Sequence, residues 1–176
     1  AAAVLTVRAL ATAPTMAFSG FFVRDLAGDV LKLAMYATTA LVFVYAKPYL
    51  SDRGLFKGEF YALVLFALLG MMLMVSAGGL VTLYLGLELL ALSAYGLVAM
   101  DRDNPVASEA AMKYFILGSM ASGLLLYGMS LVYGATGSLQ LDQIYAVAGR
   151  GSGGKLLSLG VVFMLVGIAF KFGAAP

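Results

Sequence analysis

The chain has 176 residues, of which 62% are hydrophobic and 11% charged, with a formal net charge of +2. Soluble domains carry about 25% charged residues, so this composition excludes an ordinary soluble fold and points to a chain solvated by a bilayer. Cysteine, histidine and tryptophan are absent, which excludes disulfides, cysteine nucleophiles, thiolate or imidazole metal ligation and an imidazole base. The small charge gives no nucleic-acid surface.

A spanning helix needs about 20 mostly apolar residues, and the charges and turn residues divide the chain on that scale. Residues 1–11 read as the tail of one helix, and 12–28 as a loop holding Pro14, Arg24 and Asp25. The first full span covers about 29–48 and closes at Lys47-Pro48. A polar loop with Asp52, Arg53, Lys57 and Glu59 leads into a span over about 59–76. Ser76-Ala77-Gly78-Gly79 is a tight connection, because glycine adopts positive φ without steric cost. The next span, about 80–100, exits through Asp101-Arg102-Asp103-Asn104-Pro105. Ser108 is the expected N-cap of a helix over about 108–134, its hydroxyl accepting from free backbone N–H groups. A loop rich in Gly, Ser and Gln fills 135–154, and the last span, about 155–176, runs to the final residue.

These lengths, without the ten-residue alternation of a membrane barrel, predict an all-α membrane fold: a polytopic bundle of transmembrane helices in one domain. The ends are expected to be internal to a longer membrane protein, since there is no initiator Met and Phe170–Pro176 stops inside an apolar run. Gly118, Ser119, Ser122 and Gly123 supply small residues for close helix packing. Lys47, Arg53, Lys57 and Arg102 lie on one side, against Arg24, Arg150 and Lys155 on the other, with Lys32 just inside a span. The positive-inside rule turns the first side to the cytoplasm.

Gly149 to Lys155 has the spacing of most of a phosphate-binding loop, but Leu156 stands where that motif needs Ser or Thr for magnesium. It reads as a flexible connection ahead of a span.

Three charges need an explanation. Glu88 lies in Leu83-Tyr-Leu-Gly-Leu-Glu88-Leu-Leu-Ala-Leu, near the middle of its span. An ionised group there costs roughly 2.5–3.5 kcal/mol, so it points to function. Lys113 lies about one turn into its helix with Glu109 four residues earlier, a spacing that also suits an interfacial ion pair with a snorkelling lysine. Lys171 lies deep in the last span, and Pro176 five residues later marks a helix break. Interrupted membrane helices commonly line ion pathways.

The runs Leu83-Tyr-Leu-Gly-Leu-Glu88-Leu-Leu-Ala-Leu-Ser-Ala-Tyr-Gly-Leu, Ser108-Glu-Ala-Ala-Met-Lys113-Tyr-Phe-Ile-Leu-Gly-Ser and Phe170-Lys171-Phe-Gly-Ala-Ala-Pro176 resemble the antiporter-like subunits of proton-pumping NADH:quinone oxidoreductase, respiratory complex I. Leu125-Leu-Tyr-Gly-Met-Ser-Leu-Val-Tyr-Gly-Ala-Thr-Gly resembles the bacterial subunit N group of that family. The likeness runs from about Tyr61 onward.

The resemblance implies the first of two inverted repeats, from the end of the second helix to a broken seventh helix. Glu88 matches the acidic residue of the fifth helix, Lys113 a lysine of the sixth and Lys171 the lysine of the seventh. It further implies proton translocation through Glu88, Lys113 and Lys171, with no catalytic or cofactor-binding residue in this chain. FMN, iron–sulfur clusters and quinone would belong to the parent complex. The implied partners are the neighbouring antiporter-like and small membrane subunits, the lipid bilayer and protons, in the bacterial inner membrane. A lysine enclosed by helices gives up its proton more readily than one in water, and a carboxylate beside it opposes that release. A subunit of a related multisubunit sodium/proton antiporter or membrane-bound hydrogenase uses the same groups. A scaffold reading leaves the charges only to lock helices together.

Overall fold

The computed structural model describes residues 2–10 and 12–174. Its helices are α1 (Ala2–Ala9), α2 (Leu26–Asp52), α3 (Gly58–Val75), α4 (Leu80–Val98), α5 (Pro105–Thr136), α6 (Leu141–Gly149) and α7 (Gly154–Lys171). Of these, α2, α3, α4, α5 and α7 are long and apolar enough to cross a membrane. The fold is a bundle of membrane helices, as the composition requires.

Several boundaries differ from those expected. Helix α2 continues through Pro48 to Asp52. Proline removes one backbone N–H, and here the cost falls near the helix end rather than at its centre. The N-cap of α5 is Asn104 rather than Ser108: its side chain accepts from the N–H groups of Val106 and Ala107, and Pro105 occupies the first turn. Proline suits that place because its missing N–H would have had no helical partner. At the other end Gly137 closes α5 at φ 69°, the left-handed cap glycine permits. Helix α7 ends at Lys171, and Gly173 turns the chain away at φ 72°. The expected break at Pro176 lies outside the described residues.

The two long loops carry structure that composition hides. Residues 12–28 contain an antiparallel hairpin of β1 (Thr15–Ala17) and β2 (Phe22–Arg24), with Met16 opposite Val23. The connection after α5 contains α6. At one end of the bundle these segments are stitched to the tight α3–α4 turn. Val23 N–H donates to the Ser76 carbonyl at 2.8 Å, and Gly78 N–H to Phe21 at 3.0 Å. Leu80 N–H donates to Leu139 at 2.8 Å, and Leu141 N–H to Gly78 at 3.1 Å. At the opposite end Phe43 of α2 packs edge-on against Phe60 and Tyr61 of α3.

Glycines set the closest helix contacts. A Cβ on Gly70 of α3 would lie 2.6 Å from the Gly86 carbonyl oxygen of α4, and one on Gly128 of α5 would lie 2.7 Å from that of Gly160 on α7. Backbones therefore touch within each pair, the way dispersion drives helix association when lipid is as apolar as the side chains. The core cluster of Leu80, Leu125, Met129 and Val132 lies where α4, α5 and α7 meet, with Leu157, Met164 and Ile168 of α7 against it. Glu88 stands two turns beyond Leu80 on α4.

Candidate functional site: a lysine–glutamate pair between helices

Glu88 and Lys171 are 83 residues apart in sequence and meet between α4 and α7. The Lys171 ammonium donates from Nζ to Glu88 Oε1 at 3.2 Å, and their side chains are 13% and 20% exposed. The same Glu88 oxygen accepts from the Ser122 hydroxyl of α5. Lys171 Nζ also lies 3.4 Å from Tyr95 Oη and 5.8 Å from the Tyr95 ring centroid. Three spanning helices thus converge on one ion pair.

Local sequence explains the convergence. Glu88 and Tyr95 are seven residues apart on α4, so both face α5 and α7. Lys171 is the last residue of α7, where unpaired carbonyls favour a cation. Its long side chain reaches the pair from the helix end. Ser122 and Gly118 lie four apart on the face of α5 turned to α4. Their small size leaves room for Glu88 and for Tyr95, whose hydroxyl would be 2.0 Å from a Cβ on Gly118. The neighbouring positions do not pack against another helix: Gly123 has open space where a Cβ would go, and Ser119 donates to its own helix at the Ile116 carbonyl.

A cavity of about 380 Å³ borders the pair, lined by Met74, Leu87, Ala94, Tyr114, Lys171 and Phe172 among others. At an effective dielectric near 20, unit charges at this separation attract by about 5 kcal/mol, and removing two ions from water costs about as much. The pair therefore adds little net stability. It creates a site whose energy depends on the protonation of both partners.

Lys113 is not part of this cluster. It pairs with Glu109 one turn earlier on α5, and the two side chains are 71% and 64% exposed. Lys113 lies nine residues before Ser122, about 13 Å along the helix.

Sequence reasoning did not single out three further groups. Ser122 reads only as a small packing residue and Tyr95 carries no sequence reading of its own; only their spacing from Gly118 and Glu88 marks them. Asp29 is 2% exposed, Lys32 is 6% exposed, and they lie 3.4 Å apart on the first turns of α2. Arg24 from the hairpin reaches the other Asp29 oxygen at 3.3 Å. The (i, i+3) spacing of Asp29 and Lys32 was the available signal.

Residues 77–176 match the family described as NADH:quinone oxidoreductase/Mrp antiporter, TM. The chain is 58% identical over 176 residues to NADH-quinone oxidoreductase subunit N of Thiobacillus denitrificans, covering 99% of this chain and 36% of that protein. It is 60% identical over 159 residues to the protein of the same name in Halorhodospira halophila, covering 90% of this chain and 33% of that one. It thus spans about a third of the length of these curated relatives. Among solved structures, respiratory complex I from Thermus thermophilus with bound aureothin superposes with a TM-score of 0.72 at 36% identity, over 97% of this chain and 35% of that chain. The archaeal membrane-bound sulfane sulfur reductase superposes with a TM-score of 0.63 at 28% identity, over 82% and 27%. A match over residues 77–176 takes in every group that meets at Lys171, and the chain belongs to the NADH:quinone oxidoreductase/Mrp antiporter transmembrane family.

Proposed function

We propose that this chain is part of a proton-translocating membrane subunit of an NADH-quinone oxidoreductase, and that Glu88 and Lys171 hold and release the transported proton. The observation that carries the reading is the Glu88–Lys171 contact at 3.2 Å between two spanning helices. A lysine in such a place exchanges its proton according to the field around it. A carboxylate close by holds the ammonium, and withdrawing that carboxylate, or bringing up another cation, favours release. Ser122 anchors Glu88 from α5, so movement of α4 against α5 and α7 alters that field. Relatives that are more than half identical to this chain over the aligned stretch, about a third of their own length, are named subunit N, which favours this complex over a sodium/proton antiporter.

Lys113, held by Glu109 on the outer face of α5, is a separate station, reached through water or through helices beyond this chain. In this reading electron transfer through FMN, clusters and quinone belongs to other subunits, in keeping with a stretch that has no thiolate or imidazole to ligate a cluster. Its partners are the neighbouring antiporter-like and small membrane subunits, and its site of action is the bacterial inner membrane.

The test is NADH-driven proton pumping in membranes that carry the full-length subunit with Lys171→Ala, together with a check of assembly. Oxidation and pumping are expected to fall by ~100-fold with the complex intact, the size that follows loss of a positioned proton-transfer group. Normal coupled pumping would overturn the reading and return the pair to a scaffold role.

A further inference from the structure

Tyr95 is 7% exposed and sits where α4, α5 and α7 meet. Its ring is fixed edge-on by Tyr114 at 4.7 Å and Phe115 at 5.7 Å, both from α5. Its hydroxyl fills the space that Gly118 leaves by having no side chain. Phenylalanine would supply the same ring contacts. What the hydroxyl adds is a polar atom 3.4 Å from Lys171 Nζ.

We infer that Tyr95 is a positioning residue whose hydroxyl partners both protonation states of Lys171, and that it makes the neutral amine tolerable inside the membrane. This rests on the proton-handling role of Lys171 argued above. An ionised carboxylate only accepts hydrogen bonds, so Glu88 serves the ammonium but offers nothing to the lone pair of an amine. The Ser122 hydroxyl is committed to Glu88 Oε1. A phenol rotates between the two roles: its oxygen accepts from the ammonium, and its O–H donates to the amine. Without it the ammonium keeps Glu88, whereas the amine is left buried with an unpaired lone pair, and an unsatisfied buried group is the costlier loss.

The titratable groups that face this point are few. Helix α4 brings Glu88 and, one turn before it, Tyr84. Helix α5 brings Tyr114, and α7 brings Lys171 itself, while α3 meets the same cavity with the apolar Met74.

The experiment compares Tyr95→Phe, Gly118→Ala and Lys171→Ala in the full-length subunit, in assembled complex, by NADH-driven proton pumping as a function of pH. Tyr95→Phe is expected to lower turnover about tenfold at neutral pH and to recover it as pH rises, so that the half-maximal point moves to alkaline pH. Gly118→Ala displaces the same hydroxyl and is expected to shift the profile in the same direction. An unchanged profile for Tyr95→Phe, an acid shift, or an equal loss at every pH would overturn the inference. If Lys171→Ala pumps normally, the functional reading falls and takes this one with it. If Lys171→Ala is inactive and Tyr95→Phe keeps the native profile, only this inference falls.

Discussion

Asp29 and Glu88 are both carboxylates held by lysines inside the bundle, yet their surroundings differ. Asp29 is bracketed by Lys32 and Arg24, each on its own oxygen, at the hairpin end of α2. Replacing it by alanine leaves the buried Lys32 ammonium without its carboxylate, while Arg24 keeps its bonds to the Thr12 and Ala13 carbonyls, and breaking a buried pair costs about 3–5 kcal/mol. Asp29→Ala is therefore expected to lower the thermal stability of the assembled subunit, with Lys32→Met in the same chain recovering part of the loss. Wild-type melting of the single variant would sink this account. The exposed Glu109–Lys113 pair obeys a different rule, because screened surface pairs contribute about 0–1 kcal/mol. Lys113→Ala is expected to leave stability unchanged and to reduce pumping less than Lys171→Ala does, which the same membrane assay measures. Glu88 and Lys171 were legible as candidates because a charge inside an apolar run calls for a partner, whether it serves function or only locks helices together. Asp29 was not, because a charge near a helix start looks solvated until the hairpin covers it. Tyr95 was not, because a tyrosine in a span reads as lipid-facing until its hydroxyl has a partner.

Contacts between elements rest on single atoms. Gly86 and Gly128 each lie where a Cβ would fall within 2.9 Å of a facing backbone. Gly86→Val or Gly128→Val is expected to push the paired helices apart and to reduce the amount of assembled subunit recovered from membranes. Gly123→Ala, at an open position, is expected to be neutral or to add up to about 1 kcal/mol through helix propensity. Equal loss in all three variants would show that the close contacts are not what holds the pairs. The spans were readable because hydrocarbon leaves the backbone no alternative to the helix. The β1–β2 hairpin and α6 were not, since the hairpin strands are three residues each and depend on bonds to Ser76 and Gly78 far along the chain. Of the small residues at 118–123, Gly118 and Ser122 do serve close helix packing, by admitting α4 side chains rather than its backbone. On the inner face they make room for Tyr95 and Glu88, and the backbone-to-backbone contact lies further along α5, at Gly128.

At the scale of the whole molecule, large apolar side chains face outward along the spans, among them Val44 at 75% and Met120 at 64% exposure. That surface belongs against lipid or further helices. These 176 residues hold no cysteine, so in a full-length subunit cleared of any other cysteine, single introduced thiols test the topology. With Gly54→Cys and Ser152→Cys introduced singly, a membrane-impermeant thiol reagent is expected to reach the first only from the cytoplasm and the second only from the opposite side. Labelling of both from one side would overturn the arrangement. The helices are also unevenly joined: α3 with α4, and α5 with α7, are bound far more extensively than α4 is to α5. Glu88 rides on one pair, while Lys171 and Ser122 ride on the other. Sliding the two blocks so that the 3.2 Å contact opens to about 4.2 Å weakens the attraction by about 1 kcal/mol at an effective dielectric near 20, enough to change a proton equilibrium several-fold. On the proposed role of Glu88 and Lys171, the boundary between blocks acts as a transducer: shear is felt there as a change of proton occupancy, and each proton gained or lost pushes back on the blocks as force.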